Sequence, residues 1–294
     1  IDTKGADNND GGEIDIDSDG TITINAALIT SGGDNATAAG RAGGAINIDT
    51  ASTKTITFAA AGTMTTIGSA GNGGGANNGG DGGAITINSG DADITLNGGQ
   101  INTAGGASPG GGTVGAGGNI TFSDEVKLST GGIAITSGAT AGNISFAEID
   151  NAQTMQITAG TGNVTFNEDV GVGAALGQVT VVSAGTVNSV KLFKSAGLNW
   201  TSTTEIQTDK LVTSTSSVTF DSALIDINDG IAAAGNAINL TANDFEFSGA
   251  TPNDITTTAT ITIDSNAANL ALGQASGGGA TIDDAELGLL NAGT

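Results

Sequence analysis

Apolar and polar residues alternate along this chain in short bursts. A phrase of one or two small residues followed by an apolar–polar–apolar triplet recurs as Gly11-Gly12-Glu13-Ile14-Asp15-Ile16, Gly43-Gly44-Ala45-Ile46-Asn47-Ile48, Gly82-Gly83-Ala84-Ile85-Thr86-Ile87 and Gly117-Gly118-Asn119-Ile120-Thr121-Phe122. Shorter copies follow at Ile144-Ser145-Phe146, Val164-Thr165-Phe166, Val218-Thr219-Phe220 and Ile238-Asn239-Leu240. Strict alternation is the signature of a strand with one face buried and the other wet. The first six copies are separated by 32, 39, 35, 24 and 20 residues, so the period is elastic.

Within each long repeat a second triplet follows the first: Ile22-Thr23-Ile24, Ile56-Thr57-Phe58 and Ile94-Thr95-Leu96. A third apolar position comes next, at Leu28, Met64 and Ile101. Three short strands per repeat, each too narrow to bury its apolar face alone, must stack on their neighbours to form a core. The pattern therefore predicts an all-β fold, a right-handed parallel β-helix (β-solenoid) over residues 1–294, with about three short strands per coil and Gly-rich corner loops. Residues 1–130 supply long coils and 131–294 shorter, less regular ones. About ten coils at ~4.8 Å each make a rod about 50 Å long. One inward ladder reads Ile14, Ile46, Ile85, Ile120, Ile144, Val164. Its neighbour reads Ile16, Ile48, Ile87, Phe122, Phe146, Phe166, ending in an aromatic stack. Val187 to Leu211 fits no register, although alternation with Leu198 places Trp200 in the core.

The extra residues of the long coils fall in one place, Ser31–Gly44, Gly68–Gly83 and Thr103–Gly118, and would project from one edge of the rod. They are read either as a binding ridge or as plain corner insertions. Few of their side chains could supply affinity, which favours the second.

Composition narrows the chemistry. The chain has 50 Gly in 294 residues, and Lys+Arg 7 against Asp+Glu 30 gives a net charge of −23. With neither His nor Cys there is no imidazole or thiolate metal site and no disulfide. A surface this acidic repels nucleic-acid phosphate. No apolar run is long enough to span a bilayer, so no membrane span is expected. Catalysis is not expected either. The one Arg, Arg41, sits in a Gly-rich loop, and Asp283 and Asp284, being adjacent, cannot share a strand face.

The candidate metal ligands are Asp15, Asp17 and Asp19. Asp15-Ile16-Asp17-Ser18-Asp19-Gly20 matches the first half of a calcium loop, but Ala26 stands where the bidentate acid belongs. Ca2+ is the one cofactor with a site in the sequence, and Asp7 and Asp10 could add oxygens. Six Asn-x-Ser/Thr sequons occur, at Asn35, Asn119, Asn143, Asn163, Asn199 and Asn239. Three coincide with the repeat phrase, so alternation itself generates them.

The Gly-Asn-Ile-Thr-Phe style triplets and the long Ala/Gly/Asn/Thr corners resemble the giant filamentous-haemagglutinin-type β-strand repeat adhesins of Gram-negative bacteria. So does the segment Ile282-Asp283-Asp284-Ala285-Glu286-Leu287-Gly288-Leu289-Leu290-Asn291-Ala292-Gly293-Thr294. The resemblance implies a fragment of a much longer protein, secreted to the cell surface, with a role in adhesion, biofilm or filament formation. The expected partners are further copies of the chain, associating end to end or laterally, and host-cell or matrix glycans. The alternatives are a self-assembling surface-layer or filament subunit and a carbohydrate-binding or carbohydrate-processing β-helix.

Overall fold

The computed structural model describes residues 1–34, 38–51, 53–248, 255–267, 270–272, 280–282 and 284–292. Almost all regular structure is short strand, and every pairing between strands is parallel. The chain is a parallel β-solenoid. Among the described residues no helix is long and apolar enough to cross a membrane.

Each coil lays one strand on each of three faces. The first face is a single sheet of ten strands, from Ile14–Ser18 to Asp244–Phe247. Its register makes the predicted ladder continuous through Ile14, Ile46, Ile85, Ile120, Ile144 and Val164, and extends it to Val187, Ile206, Ile225 and Phe245. The second ladder also holds, except that Ile16 is only half-buried because no strand covers the first one of this sheet. The second face carries Ile22, Ile56, Ile94, Val126 and Ile149 in register, continued by bridges through Val170 to Phe193. The third carries Leu28, Met64, Ile101, Ile135, Ile157, Val181 and Trp200.

The stretch that defied assignment has a simple cause. From Phe193 to Thr201 the second-face and third-face strands run together without a corner, and this one strand pairs with both Val212–Ser214 and Val218–Asp221. It follows that Val218-Thr219-Phe220 and Ile238-Asn239-Leu240 are not copies of the first phrase. They stack on Leu198–Thr201 and belong to the third face. Their identical alternation hid the change of face.

Aromatic rings fill the axis of the rod. Phe122 stacks on Phe146 at 5.1 Å and Phe146 on Phe166 at 5.5 Å, all on the first face. Above Phe166 that ladder turns small and polar, to Ser189 and then Thr208. The stack crosses the interior instead: Trp200 on the third face lies 5.8 Å from Phe166, and Phe220 lies 4.9 Å from Trp200. Phe193 meets both Phe166 and Trp200 edge-on. Small side chains on one wall and large ones opposite hold the section at constant volume, as close packing demands.

The Gly-rich corners stand out from one edge of the rod and are not loose insertions. They run out and back as hairpins whose arms pack on those of the coils above and below. Backbone bonds between arms recur every third residue: Gly79 and Gly82 N–H donate to Thr113 and Ala116, Ser69 and Asn72 to Arg41 and Ala38, Gly80 and Gly83 to Ser69 and Thr66. A three-residue repeat with bonds only to neighbouring chains belongs to extended, polyproline-II-like strands, not to β-structure. Their spacing admits no side chain: a Cβ on Gly82 would lie 1.8 Å from the Thr103 oxygen, and one on Gly79 1.8 Å from that of Gly106. Glycine serves here for close approach rather than for a left-handed turn.

Candidate functional site

Asp15, Asp17 and Asp19 are exposed at the first coil. Asp15 and Asp17 point outward from the first strand because Ile14 and Ile16 point inward. Their register neighbours one coil up are Asn47 and Asp49. Asp17, Asp19 and Asp49 line a shallow open depression with Ser18 and Ala51. Asp49 also accepts a hydrogen bond from Asn88 Nδ2 at 3.3 Å. Asp10 is drawn elsewhere, its Oδ1 accepting the Ala42 N–H at 3.0 Å. Among the described residues these aspartates do not form a convergent three-carboxylate group.

The group that does converge is Glu125, Glu148 and Asp150, with one carboxylate oxygen of each lying within 4.8 Å of the others. Stacking creates it. Val126 pairs with Ile149 and Lys127 with Asp150, so Glu125 and Glu148 sit one above the other at the corner between the first two faces. Asp93 below and Asp169 above extend the acid column, each immediately preceding its inward residue. The Lys127 ammonium occupies the middle, bonded to Glu125 and 3.5 Å from Asp150 Oδ2. Asp150 is buried, and its other oxygen accepts the N–H groups of Gly173 at 3.1 Å and Ala174 at 3.3 Å. The arrangement is a local ion-pair network that ties a corner loop to the wall, with its own cation already in place.

Burial sets the electrostatics. It pushes the carboxyls of Glu125 and Glu148 above the usual range; Lys127 partly offsets this and neighbouring acids add to it. Burial alone would lower the Lys127 ammonium, but its bond to Glu125 and the surrounding acids hold it above its ordinary value. On the first face burial likewise raises Glu205 and Asp226, and neighbouring acids add to the effect. A carboxyl raised in the folded state contributes stability that is complete below its unfolded value and is lost as pH rises through the folded one. Thermal unfolding is therefore expected at a higher temperature near pH 5 than near pH 7.5. A melting temperature that falls steadily over that interval on acidification would contradict it.

The outer Asn residues also have a structural task. Asn119 Oδ1 accepts the Asn143 N–H and Asn143 Oδ1 the Asn163 N–H, both at 2.9 Å, and Asn163 Oδ1 accepts that of Thr186 at 3.1 Å. This ladder accounts for Asn before the triplet at three of the sequons. The fifth and sixth, Asn199 and Asn239, lie on the third face, and the Asn35 sequon lies outside the described residues, as does Asp283.

The acid column was readable in principle, since Asp93-Ile94, Glu125-Val126, Glu148-Ile149 and Asp169-Val170 share one offset. Seeing it needed the second-face register past residue 130, where the spacing contracts. In comparisons with protein-family models, with curated proteins and with solved structures, no significant match to the chain was found.

Proposed function

We propose that this chain is a non-catalytic rod segment of a large secreted bacterial surface protein, serving adhesion, biofilm or filament formation. The observation behind this reading is the continuity of the interior ladders. The first runs through ten coils with an apolar residue at every level, and where the ladder beside it turns polar, at Ser189 and Thr208, Trp200 and Phe220 carry the aromatic stack on. The chain spends its apolar residues on length. The convergent acids hold their own lysine at a corner, and the only Trp, the ring best suited to a sugar platform, is fully buried. The resemblance of the triplets and corners to filamentous-haemagglutinin-type adhesins supports the cell-surface assignment.

Immunogold labelling of intact source cells with an antibody to residues 120–248 tests this. Label on the outer surface or on extended material around the cells is expected. Label confined to the cell interior would overturn the reading. Continuous fibres formed by the purified chain would move it to a self-assembling filament subunit.

A further inference from the structure

Charge is distributed very unevenly around the rod. Acids crowd the first face, with Asp15, Asp17 and Asp49 at one end and Glu205, Asp226 and Glu246 toward the other, and they form the column at the next corner. The third face is different. From Leu28 to Trp200 its own positions hold no Asp, Glu, Lys or Arg, since Lys194 lies on the second-face half of the Phe193–Thr201 strand, and the first acid on it is the exposed Asp221, beside Phe220. Its outward positions read Gln100, Ala134, Gln156, Thr180, Asn199, Thr219 and Asn239 in register, with Asn102, Thr136 and Thr158 alongside. Gln100, Gln156, Gln178 and Asn199 are exposed, and their amides make no hydrogen bond among the described residues. A β-bulge opposite Ile157–Thr158 turns Val182 outward, 44% exposed, in the middle of this face.

We propose that the third face is a lateral docking surface for a second copy of the same chain, the two rods lying side by side about a two-fold axis. It rests on the reading of the chain as a surface rod and adds the surface through which rods associate. Three arguments favour a copy over any other occupant. Two molecules of charge −23 repel on every acidic surface, so the least charged face is where they can touch. Gln and Asn amides both donate and accept, as a two-fold interface that meets itself requires. The amides of this column recur at every second coil, an interval of ~9.6 Å, and a second copy presents the same groups at the same interval. A sugar ring would find no aromatic side chain on the outer surface of these strands.

Area sets the strength. About eight coils at ~4.8 Å, each about four residues wide at ~3.3 Å, give ~500 Å² per rod, or ~1,000 Å² in total. That falls in the size class of weak, transient complexes, so the association is reversible and concentration-dependent. Screening the acids elsewhere strengthens it as salt is raised.

Sedimentation velocity over a concentration series tests this on the full chain, its Gln156→Glu/Asn199→Glu variant and a Thr121→Glu control on the first face. The wild type is expected to dimerise reversibly, and more tightly at higher salt. The double variant should weaken by about ten-fold or more, because like charges then meet across the axis. The control should match the wild type. A wild type that stays monomeric, or a double variant that dimerises as well as the wild type, overturns the proposal. So does loss of binding to a neutral polysaccharide such as dextran in the double variant when no chain associates with itself. X-ray scattering from the same samples separates the two readings: a monomer still shaped as a rod about 50 Å long removes the docking surface alone, whereas a compact particle removes both.

Discussion

Replacing Gly82 with alanine is expected to cost about 3 kcal/mol or more, although the position looks like a harmless loop glycine. The added Cβ would lie 1.8 Å from the Thr103 carbonyl oxygen and 2.7 Å from its carbon, and both are backbone atoms held by the coil above. Gly82 cannot retreat, because its N–H donates to Ala116 at 2.8 Å and the next residue donates to Thr66 at 2.7 Å. The arms must part, and buried backbone groups lose partners as they do. Gly73→Ala is the matched comparison. The nearest atom to its new Cβ is Pro109 Cγ at 3.9 Å, so the change should stay within about 0.5 kcal/mol. Denaturant unfolding gives both energies. Hydrogen exchange places the damage, with faster exchange in 67–83 and 103–118 for Gly82→Ala alone. Equal effects of the two substitutions would show that the corners do not form a packed bundle.

Trp200→Ala should cost about 3–5 kcal/mol, the usual range for removing a large buried aromatic. The indole is fully buried between Phe166 and Phe220, with Phe193 against its edge, and the facing ladder offers only Ser189 and Thr208, which cannot fill the space. Trp200→Phe should cost less than about 1.5 kcal/mol, since a ring still bridges the stack. Among the described residues the indole N–H has no hydrogen-bond partner to lose. Thermal and denaturant unfolding of the two variants distinguish ring from polar contribution. If Phe were as damaging as Ala, stacking would not be what the site provides.

These two residues also mark the limits of what alternation reveals. Ladders such as Ile46–Ile85–Ile120 are legible because a strand buried on one side imposes a period of two, and stacking imposes a shared offset. Trp200 was legible as core for the same reason. Its place in the stack was not, because alternation says that a side chain points inward but not which wall it stands on. Val218 and Ile238 were assigned to the wrong face for that reason. The corners failed differently. A three-residue backbone repeat in a Gly/Ala/Asn sequence leaves no hydropathy trace, since its cohesion comes from main-chain groups and from the absence of Cβ atoms. The candidate site was least legible. Asp15, Asp17 and Asp19 stood out because they are close in sequence, whereas Glu125, Glu148 and Asp150 are brought together by the spacing of coils.

Among the described residues the hairpin bundle lies beside the first coils only. At Ser137–Gly142 the connection shrinks to a short turn whose hydroxyl closes on the Gly142 oxygen at 2.6 Å. The rod is thus broad over its amino-terminal part and slender beyond it, and bending stiffness climbs much faster than breadth. Under a sideways pull the deformation gathers in the slender shaft while the broad part swings as a rigid butt, so the same stacking that builds the rod also decides where it flexes.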